Sequence, residues 1–242
     1  VQDIVDATGI GYIGGGNVSD RGGAISVFNA TLQIDGGMIC NNSCEYVGGG
    51  ICVMGQTSLL QFNNGIICGN FSNSEDGGGG IFSSAPVSNI NGGLFVGNRT
   101  INRGSAIRIE TGKMSSCVVK RNWQVMMGAL YLNNHSRLML TNVRVEGNVS
   151  THSSGAGAYI TGNETGSIID MYNVSFIGNK CLGDTEDSGG GIQVCYASQV
   201  YLQDCIFKDN YATAGGAGID FSSKGTWDKT SKLQIGGFLD MS

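Results

Sequence analysis

Short apolar strings recur along this chain, each alternating between apolar and variable positions with a period of two. The first kind is a run of small residues followed by an aliphatic, variable, aliphatic triplet. It occurs as Gly22-Gly23-Ala24-Ile25-Ser26-Val27, Gly48-Gly49-Gly50-Ile51-Cys52-Val53 and Gly78-Gly79-Gly80-Ile81. Looser copies stand at Ser105-Ala106-Ile107, Gly128-Ala129-Leu130 and Gly155-Ala156-Gly157-Ala158, and cleaner ones return at Gly189–Val194 and Gly215–Ile219. The second kind is a bare alternating string, such as Leu32-Gln33-Ile34, Leu60-Gln61-Phe62, Leu138-Met139-Leu140, Val200-Tyr201-Leu202 and Leu233-Gln234-Ile235. The third is an apolar residue followed three positions later by Asn: Ile39 with Asn42, Ile67 with Asn70, Phe95 with Asn98, Val119 with Asn122, Val145 with Asn148, Phe176 with Asn179 and Phe207 with Asn210. Those Asn residues lie 28, 28, 24, 26, 31 and 31 apart, and an eighth copy is read as starting at Phe238 and breaking off at Met241.

Each repeat therefore holds three short strands, none with a convincing helical period. One such unit cannot bury its own apolar face, so equivalent strands of successive units must stack. The expected fold is all-β: a right-handed, single-stranded parallel β-helix, a solenoid of three sheets and about eight coils. At about 4.8 Å per coil the rod is on the order of 40 Å long. Residues 1–21 are read as a partial coil or lead-in and 22–242 as the repeats. Inward candidates are Ile25, Val27, Leu32, Ile34, Ile39 and their counterparts. The recurring residues Asn42, Asn70, Asn98, Asn122, Asn148, Asn179 and Asn210 are expected to occupy a left-handed corner and to form a ladder of amides. The Gly before several of them is expected to let neighbouring backbone pass closely.

The alternation of Gly-Gly-Ala-Ile with Phe-x-x-Asn over residues 22 to about 240 resembles the repeat signature of the chlamydial polymorphic outer membrane proteins. That resemblance implies a surface-exposed β-helical passenger domain acting in adhesion. The chain departs from the family in having no outer-membrane barrel segment, and its sequon density suits a eukaryotic, protist-like secreted relative.

Composition narrows the function. Charged residues are 14% of the chain against a typical ~25%. The net charge is −5 and the basic residues are scattered, so no nucleic-acid partner is expected. No apolar run reaches the roughly 20 residues of a membrane span. Nine Asn-x-Ser/Thr sequons stand at Asn17, Asn29, Asn41, Asn70, Asn98, Asn134, Asn148, Asn163 and Asn173, where roughly three or four would arise by chance. Asn29, Asn134 and Asn163 fall in the turn after the first strand, which favours a glycan; Asn70, Asn98 and Asn148 are themselves ladder residues. The eight Cys favour an oxidising compartment. Cys40 with Cys68 (equivalent positions in adjacent coils) and Cys44 with Cys52 (bracketing one loop) are the first candidate disulfides, and Cys181 is placed to reach Cys195 or Cys205. Cys117 has no evident mate, and neither Cys spacing nor His135 and His152 suggest zinc.

Catalysis on polysaccharides needs convergent carboxylates. The acidic residues do not repeat at matching coil positions: Asp184, Glu186 and Asp187 share one loop, while Asp204, Asp209 and Asp220 fall at different places. No cofactor and no catalytic residue is expected. Tyr131, Tyr159, Tyr172, Tyr196, Tyr201 and Trp123 are candidates for an outward face that stacks on sugar rings. The expectation is an extracellular or cell-surface structural or adhesive glycoprotein that self-associates, head to tail into a fibril, or binds surface and matrix glycans and proteins. The alternatives are a polysaccharide-active enzyme and a glycan-binding module.

Overall fold

The computed structural model describes residues 11–133, 137–152, 154–162, 167–183, 189–196, 198–221 and 232–242. They form a right-handed parallel solenoid of about seven turns with three sheets and no helix. The leading strands, Ile25–Phe28, Ile51–Met54, Ile81–Ser83, Ile107–Ile109, Leu130–Asn133, Ala158–Thr161, Ile192–Cys195 and Ile219–Phe221, stack in chain order into one sheet of eight. Every pairing is parallel and in register, so Ile51 meets Ile25 below and Ile81 above. The expected about eight coils are thus eight stacked levels. Tyr12–Gly14 already pairs with Met38–Cys40, so part of the 1–21 segment is solenoid.

Two details differ from the sequence reading. Second strands such as Thr31–Ile34 and third strands such as Met38–Cys40 do not form separate sheets. They belong to one sheet of fifteen, because Ser198–Lys208 runs unbroken through both positions. The third sheet is made of two-residue strands at the corner after each ladder Asn, including Ser43–Cys44, Phe71–Ser72, Arg99–Thr100 and Val149–Ser150. Two residues are too few for a period to register. The last anchor also moves: Ile206 pairs with Asp240, so the level of Phe207 falls at Met241 and not at Phe238.

One apolar column fills the coil. Ile51, Val53, Leu60, Phe62 and Ile67 of one coil are buried on Ile81, Ile90 and Phe95 of the next, and the column continues to Phe207. The inward candidates Ile25, Val27, Leu32 and Ile34 pack against it only partly buried, while Ile39 is buried. Anchor size is matched across the coil. Anchors Phe95 and Phe176 share their coils with Gly80 and Gly157, whereas Val119 and Val145 share theirs with Ala106 and Ala129. A Cβ on Gly157 would sit 2.8 Å from Phe176, and one on Gly191 would sit 2.9 Å from Phe207.

The Asn ladder runs without a gap. Nδ2 of each rung donates to Oδ1 of the next: Asn42 to Asn70 at 3.0 Å, Asn70 to Asn98, Asn98 to Asn122, Asn122 to Asn148, Asn148 to Asn179 and Asn179 to Asn210. The backbone N–H of each rung donates to the same oxygen. The second Nδ2 hydrogen goes to the anchor carbonyl of the coil below, as from Asn122 to Phe95 O at 3.0 Å. The Asn three residues after an apolar anchor is therefore the group that satisfies the anchor's stacked neighbours. A buried polar group left unsatisfied costs about 1–3 kcal/mol, so each rung is held tightly. The rungs themselves are not left-handed, contrary to expectation. The residue before each one is: Gly69, Gly97, Gly147 and Gly178 have φ of 60–65°, and Asn41, Arg121 and Asp209 have φ of 53–59°. Around Gly97, Gly147 and Gly178 a Cβ would meet nothing closer than 4.0 Å, so glycine serves the turn there and not close passage.

Candidate functional site

The outward positions divide into a covered face and an open one. Outward residues of the leading sheet lie under the connections at 45–50, 73–80, 101–106 and 125–129. Cys52 and Phe82 pack there with Val47, and Tyr131 and Tyr159 with Met127. The Arg108 guanidinium lies 4.9 Å from the Phe82 ring and 5.3 Å from the Tyr131 ring, and pairs with Asp76 at 3.0 Å. Arg103 reaches the same carboxylate at 2.8 Å. Burial disfavours the Asp76 anion, but the two guanidiniums outweigh it and hold the carboxyl below its usual range. Tyr131 and Tyr159 stack with centroids 5.6 Å apart. Burial pushes both phenols up, and it pushes the Cys52 thiol up to about 12.

Among the described residues the outer side of the second strands has no such cover, and the connections after them in the early coils (35–37, 63–65, 91–93) are only three residues long. In the early coils this side is a lattice of amides. Asn89 Nδ2 donates to Gln61 Oε1 at 3.3 Å, Asn91 Nδ2 to Asn63 Oδ1 at 3.2 Å, and Gln33 and Asn63 both donate to Asp35, which lowers its pKa. In the later coils the same side opens into a groove of about 360 Å³ lined by Arg137, Asp170, Tyr172, Tyr201, Gln203 and Gln234 among others. Strand register places them: Asp170, Tyr201 and Gln234 stack in one column, and Thr141, Tyr172 and Gln203 in the column two residues further on. Asp170 is buried and accepts from Arg137 Nε; that bond raises the Arg137 pKa. Tyr201 donates to Gln199 Oε1 at 3.2 Å, and Lys232 Nζ lies 5.4 Å from the Tyr201 ring. Among the described residues, Asp170 is the one carboxylate lining the groove.

The other candidates scatter. Tyr131 and Tyr159 are covered, Trp123 and Tyr196 are 40% and 38% exposed elsewhere, and only Tyr172 and Tyr201 share a site. Asp204 and Asp209 occupy left-handed turns and Asp220 the leading sheet. Asp184, Glu186, Asp187 and His135 lie outside the described residues, and His152 is exposed beside Thr151. Among the described residues no three His, Cys, Asp or Glu side chains converge as a metal site.

Cys40 and Cys68 form a disulfide between adjacent coils. Cys44 and Cys52 do not pair: both are buried thiols, Cys52 filling space as a small apolar residue beside Phe82 and Val47. Cys205 does not reach Cys181, which lies on the corner sheet. It sits with Cys117, Val143 and Val174 in the core and donates to Gln203 O at 3.4 Å.

Asn70, Asn98 and Asn148 are fully buried with Nδ2 committed to the ladder, so no glycan fits on them in this fold. Their sequon hydroxyls have another use: Ser72 Oγ donates to Tyr46 O at 2.6 Å, Thr100 to Ser74 O at 3.4 Å, and Ser150 to Met126 O at 3.2 Å. Asn17, Asn29, Asn41 and Asn173 are exposed, while Asn134 and Asn163 lie outside the described residues. No family model, curated protein or solved structure matches the chain, whose fold is a parallel β-helix solenoid.

Proposed function

We propose that this protein is an extracellular structural or adhesive rod, of the kind implied by its likeness to the repeats of the chlamydial polymorphic outer membrane proteins, in a secreted protist-like setting. The observation that carries this reading is the division of labour among its residues. Inward positions, rungs and corners are consumed by stacking, and the second-strand face keeps polar and aromatic side chains open for contacts, with one carboxylate in its groove among the described residues. The inter-coil disulfide and the exposed sequons at Asn17, Asn29, Asn41 and Asn173 support a secretory route.

The test is a surface-binding assay with the labelled full chain on cells and extracellular matrix, run beside an assay for new reducing ends on plant, algal and bacterial polysaccharides. Saturable binding without release of sugar is expected. Turnover of any polysaccharide would replace this reading with an enzyme, and absence of binding together with a monomeric sedimentation profile at high concentration would overturn it.

A further inference from the structure

The groove on the open face has the chemistry of one ligand class. Two tyrosines, Tyr172 and Tyr201, stand on neighbouring levels and two residues apart along the strand, which is about 7–8 Å on the diagonal. Tyr172 is 36% exposed in a position that stacking does not require. An aromatic ring of this kind packs against the apolar C–H face of a pyranose while its hydroxyl stays wet. Around the rings, Gln203 and Gln234 present exposed amides, which both donate and accept as sugar hydroxyls do.

Charge decides between ligands. Asp170 cancels Arg137 through a direct bond, and Lys232 is turned onto the Tyr201 ring. Among the described residues the lining holds one guanidinium and one carboxylate, paired with each other, while Lys232 keeps its positive charge at the rim, so an anionic chain meets a single uncompensated cation. We infer that this groove binds an uncharged glycan, with Tyr172 as the open stacking platform and Tyr201 as its second wall. The Tyr172 column continues through Thr141 and Ser115, so a chain of several sugar units lies along the rod axis and gains affinity with length. This inference rests on the adhesive reading and names one contact within it.

Affinity electrophoresis of the full chain tests it, in gels loaded with a neutral β-glucan, a neutral galactomannan or polygalacturonate, at low salt and at 0.5 M NaCl, an approximately fivefold to tenfold change in screening conditions. Retardation by at least one neutral polymer, unchanged by salt, is expected. Tyr172→Ala and Tyr201→Ala should each weaken it about tenfold or more. Tyr46→Ala, an exposed tyrosine away from the groove, should leave it intact. Circular dichroism and a urea midpoint establish that each variant is folded. No retardation by either neutral polymer, retardation only by polygalacturonate that salt abolishes, or an unaffected Tyr172→Ala would each overturn the inference. Cell and matrix binding retained by Tyr172→Ala would then show that the adhesive reading survives without the groove.

Discussion

The covered and open outer faces are built from the same strand pattern, yet they differ in what holds their outward residues. On the leading sheet, outward Phe82, Arg108, Tyr131 and Tyr159 are at most 8% exposed, because the connections before each leading strand fold over them. On the second strands, outward Tyr172 and Gln203 are exposed: only two residues separate Ser167–Tyr172 from Ser175–Ile177, and Ser198–Lys208 runs on without a turn, so neither has a connection long enough to fold back. A parallel coil therefore makes a second, thin core outside its sheet wherever a connection is long enough. An aromatic in that layer stabilises the fold, whereas one on the open face is available for binding.

The comparison breaks first, and by most, at the tyrosines. Tyr131→Ala should lower stability by about 3–5 kcal/mol, the range for a buried large aromatic, whereas Tyr172→Ala should cost less than about 1 kcal/mol. Equal urea midpoints for the two variants would mean that the covering loops do not hold. The amide ladders give the next contrast. Asn122→Ala removes bonds to Phe95 O, Asn148 and Asn98 inside the coil and should cost about 2–4 kcal/mol. Asn63→Ala on the open face should change the midpoint by about 0.5 kcal/mol or less, since water replaces its partners.

A smaller effect concerns Asp76. Its folded pKa is depressed, so its contribution is present above the unfolded value near 3.8 and is lost as pH falls through the folded value. Unfolding titrations below pH 4 should show a steeper loss in the parent than in Asp76→Asn; parallel curves would remove the Arg103–Asp76–Arg108 cluster from the account. The smallest effect is chemical. Cys52, under the covering layer and with a thiol pKa of about 12, should resist alkylation at pH 8 until the chain unfolds, as read by peptide mass spectrometry.

The division between the two faces also marks what the sequence makes legible. The apolar anchors, Asn42 to Asn210 and the small-residue clusters identify the solenoid, since each repeats with the coil. The Cys40–Cys68 bridge follows too, because the two residues hold one position in adjacent coils. The covering layer does not repeat: Val47, Asp76, Arg103 and Met127 come from connections of different length, and only packing in space joins them to Phe82, Arg108 and Tyr131. The groove is hidden for a related reason, since Asp170, Tyr172, Tyr201 and Gln234 share no motif and meet only through register. The corner strands were also concealed, although their signature is present as the Ser, Thr or Gln two residues after a rung, at Ser72, Thr100, Gln124 and Ser150.

The ladder carries a consequence for biosynthesis. Asn70 is shielded only when Asn98 accepts its amide, and Asn98 lies 28 residues later in the chain. At translation rates of about 5–20 residues per second, the rung waits roughly 1 to 6 seconds for the coil that closes it. In any compartment with an oligosaccharyltransferase, Asn70, Asn98 and Asn148 are substrates during that interval, and a glycan on any of them blocks the next rung. Coil-by-coil closure then races a modifying enzyme, and the yield of native protein depends on how fast each coil docks on the one before it.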